Sequence, residues 1–273
     1  MKTLMETYQL IYAIMGMGIF IAATEYVVKI QIFSKNGMLS CELQQVNWRS
    51  KNSRSLLQKL SAIIFNEQGL KYVFIIRCIN ILLLFIFPFG TLAGWVLLYA
   101  LGLNIYISST ITHYGSDGSD QMSMLIIITL ILCLIPKGNS LLVNAGVWFI
   151  ALQSCLSYAA AGISKLASAE WRSSKAIRSI FSTRTYGSEQ VALSLKKYPF
   201  LNVFLCWNVM ITETLFPLCL ILPMHFAIIF LIWGFTFHLL SAIIMGLNAF
   251  FWAFMATYPA IIYVNLQIHH SIF

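Results

Sequence analysis

Acidic residues are scarce in this chain: nine Asp and Glu among 273 residues, against 17 Lys and Arg, with only 10% of the chain charged. Soluble domains carry roughly 25% charged residues, so an ordinary water-solvated surface is excluded. Familiar catalytic motifs are missing as well. No P-loop, G-x-S-x-G, H-E-x-x-H or G-x-G-x-x-G occurs, which withholds support from nucleotide, hydrolytic and zinc chemistry. The six cysteines, Cys41, Cys78, Cys133, Cys155, Cys206 and Cys219, form no C-x-x-C pair, and five of them lie in apolar segments. They read as small core hydrophobes, and no metal site is expected.

What fills the chain instead is apolar: 59% hydrophobic residues and a mean hydropathy of +0.81. A spanning helix needs about 20 apolar residues, and such stretches occupy most of the length. We therefore expect an all-α, polytopic transmembrane bundle, residues 1–273 forming a single integral membrane domain of about eight spans, with the lipid bilayer as its surroundings. The expected spans run from about Tyr8 to Val28, then from Tyr72 to Ile111 as two helices split by Pro88-Phe89-Gly90, Met122 to Ile135 and Leu141 to Ile163. Three more follow: Phe200 to Leu222, Phe226 to Met245 and Leu247 to Val264. The first apolar run follows Lys2 as a signal peptide would, yet Glu25 and Tyr26 stand where small cleavage-site residues belong. It is kept as a span.

Two basic stretches punctuate the bundle and account for much of the net charge of +8. The first, Lys29 to Lys71, contains Leu56, Leu57, Leu60, Ile63 and Ile64 at the spacing of one helical face. In the second, Arg172, Lys175 and Arg178 share one face while Ala176, Ile177, Ile180 and Phe181 share the other. Both are expected to be amphipathic helices lying in the headgroup region. An even number of spans separates them, so both fall on one side, which the positive-inside rule makes cytoplasmic with the N-terminus outside. Basic loops facing anionic lipid explain the charge, and no nucleic-acid motif is present.

Ionisable groups inside apolar segments are expensive and need a reason. Lys165, Glu213 and His238 are the candidates, with Arg77 and Glu25 less central. Lys165 ends a strongly apolar span, and a lysine held away from water is a candidate base; the bland alternative is snorkelling to the interface. Glu213 reads as an acid or a polar staple, His238 as its neighbour across one cavity or a core histidine. Arg77 either snorkels from near the helix end or pairs with an intramembrane acid such as Glu213, and Glu25 is expected to reach the interface. Asp117 and Asp120 resemble oxygen ligands for a hard cation, but no closing glutamate follows, so their glycine-rich surroundings read as a turn.

The segment Tyr158-Ala-Ala-Ala-Gly162-Ile-Ser-Lys165-Leu166, followed by Glu170-Trp171, resembles the lysine motif of the vitamin K-dependent gamma-carboxylase-like membrane domain family, also called HTTM. Glu213, His238 and the Met245-Gly-Leu-Asn-Ala-Phe-Phe251 run are similar to later landmarks of that domain. The resemblance implies that Lys165 is the base that deprotonates a reduced, vitamin K-like quinone, whose reaction with oxygen yields the strong base that acts on a substrate glutamate. It also implies Glu213 and His238 as companions in the site. Small bacterial members resemble factors that mature a sporulation-delaying peptide toxin, which implies a small secreted peptide as partner and a bacterial cell membrane as location. The competing expectation is a non-enzymatic membrane factor of the DoxX or transport and export kind, with the same three residues as staples.

Overall fold

The computed structural model describes residues 4–34, 64, 66–87, 91–109, 118–135, 139–183 and 186–272. Among the described residues the structure is all helical, without strands. Six helical stretches are long and apolar enough to cross a membrane: Leu4–Val28, Glu67–Ile86, Ser140–Ala167, Pro199–Leu220, Met224–Met245 and Asn248–His270. The chain is a multi-pass helical membrane protein. Two further apolar helices, Leu92–Ile107 and Gly118–Cys133, stand where spans were expected but are shorter over their described residues. Large apolar side chains stay on the outside, Ile243 at 71% exposure among them; such a surface suits a hydrocarbon solvent, where only the backbone must be satisfied internally.

The chain divides into two compact units, residues 12–143 and residues 1–11 with 144–273. The first contains most of α1 (Leu4–Val28), then α2 (Glu67–Ile86), α3 (Leu92–Ser109) and α4 (Gly118–Cys133). α2 begins five residues before Tyr72, because Asn66 caps it by accepting from Gly69 N at 2.8 Å. α4 likewise starts at Gly118, ahead of the expected Met122, with Asp120 in its first turn. A carboxylate there is favoured by the helix dipole. The unit is tied by long-range bonds to backbone carbonyls: Tyr12 Oη donates to Ile81 O (2.9 Å) and Trp95 Nε1 to Ile131 O (2.8 Å). Tyr26 stacks on Phe74 at 4.9 Å, with Phe33 and Leu70 buried beside them. Glu25 is exposed near the end of α1.

The second unit holds α5 (Ser140–Ala167), three short helices α6 (Ala169–Arg172), α7 (Ala176–Phe181) and α8 (Glu189–Lys197), then α9 (Pro199–Leu215), α10 (Met224–Met245), α11 (Asn248–Met255) and α12 (Tyr258–Ile272). Pro199 opens α9, where its missing N–H costs nothing, and Pro217 ends the regular helix by forcing the 3-10 turn Phe216–Leu220. That turn leaves carbonyls without helical partners. Asn265 Nδ2 reaches three of them, Cys219 O at 2.9 Å, Leu220 O at 3.2 Å and Leu222 O at 2.8 Å. Gly246, at φ 74°, closes α10 in the left-handed conformation and turns the chain into α11.

Two expectations change here. The second amphipathic segment is not one helix: Ser174, at φ 59°, breaks it between α6 and α7. The last span is likewise two helices, separated at Thr257, whose hydroxyl bonds Phe254 O (2.7 Å) and Ser154 Oγ (2.8 Å) just ahead of Pro259. The first amphipathic segment, Asp117, Cys41 and the breakers at Pro88-Phe89-Gly90 and Pro136-Lys137-Gly138 lie outside the described residues.

Candidate functional site

Tyr158, Gly162 and Lys165 recur on α5 at helical spacing, so they share one face. Gly162 decides how close that face comes to α9. A Cβ built there would lie 2.5 Å from Thr214 N and 2.9 Å from Glu213 C, so any other residue would hold the two backbones apart. Less than a turn farther along, Lys165 Nζ donates to Glu213 Oε2 at 2.5 Å, an ion pair whose lysine side chain is 21% exposed and whose carboxylate side chain is 4% exposed. Arg172 then folds back over the end of α5, its Nη1 donating to Leu166 O (2.6 Å) and Ala167 O (2.7 Å). Those are carbonyls a helix end leaves orphaned. On the same short helix the Trp171 ring faces the ammonium, with Nζ 5.4 Å from the ring centroid.

α10 approaches from the other side by the same device. A Cβ on Gly234 would fall onto the Tyr258 hydroxyl and 3.1 Å from that of Tyr158. Glycine therefore leaves room for both phenols against α10, one turn before His238, and neither buried hydroxyl has a hydrogen-bond partner among the described residues. Tyr158 lies flat on Phe216 at 3.8 Å and presents its ring to His238 at 5.6 Å and 67°.

Between these helices is a cavity of about 450 Å3, a size suited to a cofactor-sized molecule. Its walls are Leu205, Val209, Leu240, Ile244, Phe250 and Phe254, together with Trp171, Ile177, Ile180 and Phe181 from the short helices. Lys165, Glu213 and His238 all line it. The structure thus brings together the three residues singled out from the sequence. It also gives the apolar face of the second amphipathic segment a different use, since Ile177, Ile180 and Phe181 wall the cavity while Lys175 and Arg178 stay exposed.

Glu213 is engaged by Lys165, and Arg77 donates from Nε to Asn104 Oδ1 at 2.8 Å and from Nη2 to Asn104 O at 3.3 Å, with the Asp120 carboxylate also acting on it electrostatically. Arg77 does not snorkel, for it is buried. Among the described residues no cluster of three or more His, Cys, Asp or Glu forms a metal site.

Compared with models of protein families, with curated proteins and with solved structures, the chain matches none. What the site can do must come from its geometry. An amine and a carboxylate in such contact share one mobile proton, and with that proton on Glu213 the Lys165 amine is a free base facing an apolar chamber. Sequence reasoning missed Tyr158 and Trp171 as parts of the site, although both bracket the motif. Their signal was spacing: Tyr158 lies two helical turns before Lys165 on one face, and Trp171 follows after the chain has left the helix.

Proposed function

We propose that the protein is a membrane enzyme of the vitamin K-dependent carboxylase-like kind, in which Lys165, backed by Glu213, takes a proton from a reduced quinone-type cofactor and the resulting chemistry modifies a small secreted peptide. The observation that carries this reading is the Lys165–Glu213 contact of 2.5 Å opening into an apolar cavity that His238 also lines. The residues fit such a cofactor. Aromatic and aliphatic walls suit a ring with a hydrocarbon tail, and the polar groups stand on only a few sides. When bound, a reduced quinone supplies an acidic hydroxyl and two transferable electrons. Starting with the pair's own proton on Glu213, Lys165 Nζ receives the hydroxyl proton and becomes an ammonium; the pair then holds two protons, and one must leave to water before the free amine is restored. Trp171 covers the ammonium whenever Lys165 carries the charge. Phe181, Ile177 and Ile180 keep water from the reacting side. A cavity of about 450 Å3 cannot also enclose a peptide chain, so a peptide would offer one side chain at its mouth.

A non-enzymatic reading is favoured by one specific observation: the same ion pair ties α5 to α9 where Gly162 lets them touch. A double substitution separates the two. Replacing a buried pair by apolar residues of similar size commonly leaves a fold intact, so Lys165→Met with Glu213→Leu removes the chemistry and keeps the packing. Purified protein in lipid nanodiscs is supplied with a reduced naphthoquinone, and oxygen uptake and thermal unfolding are followed. Uptake abolished with unfolding unchanged supports the enzyme; wild-type uptake in the double variant sinks it.

A further inference from the structure

We propose that His238 is a ligand-positioning residue whose Nε2 holds the second oxygen of a 1,4-dioxygenated aromatic ring, the first oxygen meeting Lys165. The inference rests on the quinol reading above and narrows it to a ligand recognised at two points. His238 is 4% exposed, and its Nε2 has no hydrogen-bond partner. A buried nitrogen left so costs about 1–3 kcal/mol, and a histidine kept only for packing would be replaced without loss by phenylalanine. The ring is held in one orientation by aromatic neighbours: Phe254 stacks on it at 4.6 Å and 16°, while Phe237 and Tyr158 meet it edge-on at 5.1 Å and 5.6 Å. It cannot turn to find a partner elsewhere.

Two polar side chains of the cavity are committed: Ser157 Oγ donates to Gln153 O at 2.9 Å and Ser241 Oγ to Phe237 O at 2.8 Å. Tyr158 Oη is buried beside Gly234 and, like His238 Nε2, has no hydrogen-bond partner among the described residues. What can meet a ligand is the Lys165–Glu213 pair, His238 Nε2 and Tyr158 Oη, set in apolar walls. The complementary molecule has two oxygen functions carried by an apolar frame. With the proton of His238 on Nδ1, Nε2 accepts from the hydroxyl distal to Lys165 and fixes the ring so that the proximal hydroxyl faces the amine.

The test compares two probes of the same shape, 2-methyl-1,4-naphthohydroquinone and 2-methyl-1-naphthol, binding anaerobically to the full chain in nanodiscs, read by quenching of tryptophan emission. Wild type is expected to bind the diol about tenfold more tightly than the mono-ol, the value of one well-placed hydrogen bond to a buried group. His238→Phe, which keeps the aromatic packing, is expected to erase that preference by weakening the diol alone. Equal binding of both probes to wild type overturns the positioning role and leaves the quinol reading standing, as does a variant that weakens both probes equally. Wild type that binds neither probe overturns the quinol reading and this inference with it.

Discussion

Arg77 and Lys165 pose the same problem, a basic side chain inside an apolar helix, and receive opposite solutions. Arg77 is given an amide, with the Asp120 carboxylate acting on it besides. Asn104 accepts from its Nε at 2.8 Å, donates its own Nδ2 to Val73 O at 2.9 Å, and so clamps α3 to α2, while the guanidinium lies 5.3 Å from the Phe74 ring centroid. A guanidinium cannot give up its proton in a protein, so this arrangement is a fixed strut. Lys165 is given a carboxylate and one face open to a cavity. Its proton has a second home 2.5 Å away. The difference teaches that a charge in a membrane helix is informative through what its partners face: Arg77 is held among packed helices by Asn104, whereas the Lys165–Glu213 pair faces a cavity.

The sharpest way to break that comparison is to remove each cation in turn. Lys165→Ala is expected to lower quinol-dependent turnover by about 10²–10⁴-fold, the range for loss of a general base, and Lys165→Arg to do the same, because a guanidinium cannot act as a base. Arg77→Met is expected to leave turnover of the folded protein at the wild-type level. Oxygen uptake per folded molecule decides it, and equal losses at the two positions would dissolve the distinction. A smaller effect follows at the clamp. Asn104→Leu removes the Oδ1 acceptor of a buried charge, keeping the backbone carbonyl that Nη2 reaches, and should cost about 1.5–3 kcal/mol of stability, measured as a lowered unfolding midpoint with turnover per folded molecule unchanged.

Much of this was legible in the residues, for reasons that differ by element. The helices were readable because an apolar run of spanning length is rarely anything but a membrane helix, and their ends because Pro199, Pro217 and Gly246 act locally. Lys165, Glu213 and His238 were readable because each is costly where it stands. Who pairs with whom was not. The pairing of Lys165 with Glu213 goes with the close approach at Gly162, and a glycine states only that something comes close, never what. The start of α2 was misjudged because hydropathy marks the apolar run while Asn66 caps the helix earlier. The break at Ser174 gave no signal at all, since serine is a rare choice for a left-handed residue.

Gly162→Ala tests whether close approach, and not the mere presence of the two charged groups, makes the pair. The added Cβ would sit 2.5 Å from Thr214 N, which is backbone and cannot swing aside, so α5 must move away from α9. Overpacking of this kind typically costs about 1–3 kcal/mol. Turnover should fall with it although Lys165, Glu213 and His238 are all present. The same substitution at Gly246, where φ is 74° but a Cβ meets nothing within 4 Å, should lower stability and leave turnover per folded molecule untouched. If the two glycine variants behave alike, the approach of the helices is not what sets the pair.

The smallest effect is expected at Trp171, and it sharpens the comparison most finely because both cations lie near an aromatic ring. The Phe74 ring stands 5.3 Å from the Arg77 guanidinium and the Trp171 ring 5.4 Å from Lys165 Nζ. Contacts of this kind contribute about 0.5–1 kcal/mol where partly exposed. At Arg77 that energy acts only on stability, because the charge never changes. At Lys165 it acts where the proposed chemistry takes place, because the Trp171 ring also walls the cavity. Trp171→Leu should therefore change quinol-dependent oxygen uptake per folded molecule by up to about fivefold, the rate equivalent of that energy. Phe74→Leu should shift the unfolding midpoint and leave uptake per folded molecule in place. Equal effects of the two variants on uptake would mean that Trp171 does no more for Lys165 than Phe74 does for Arg77.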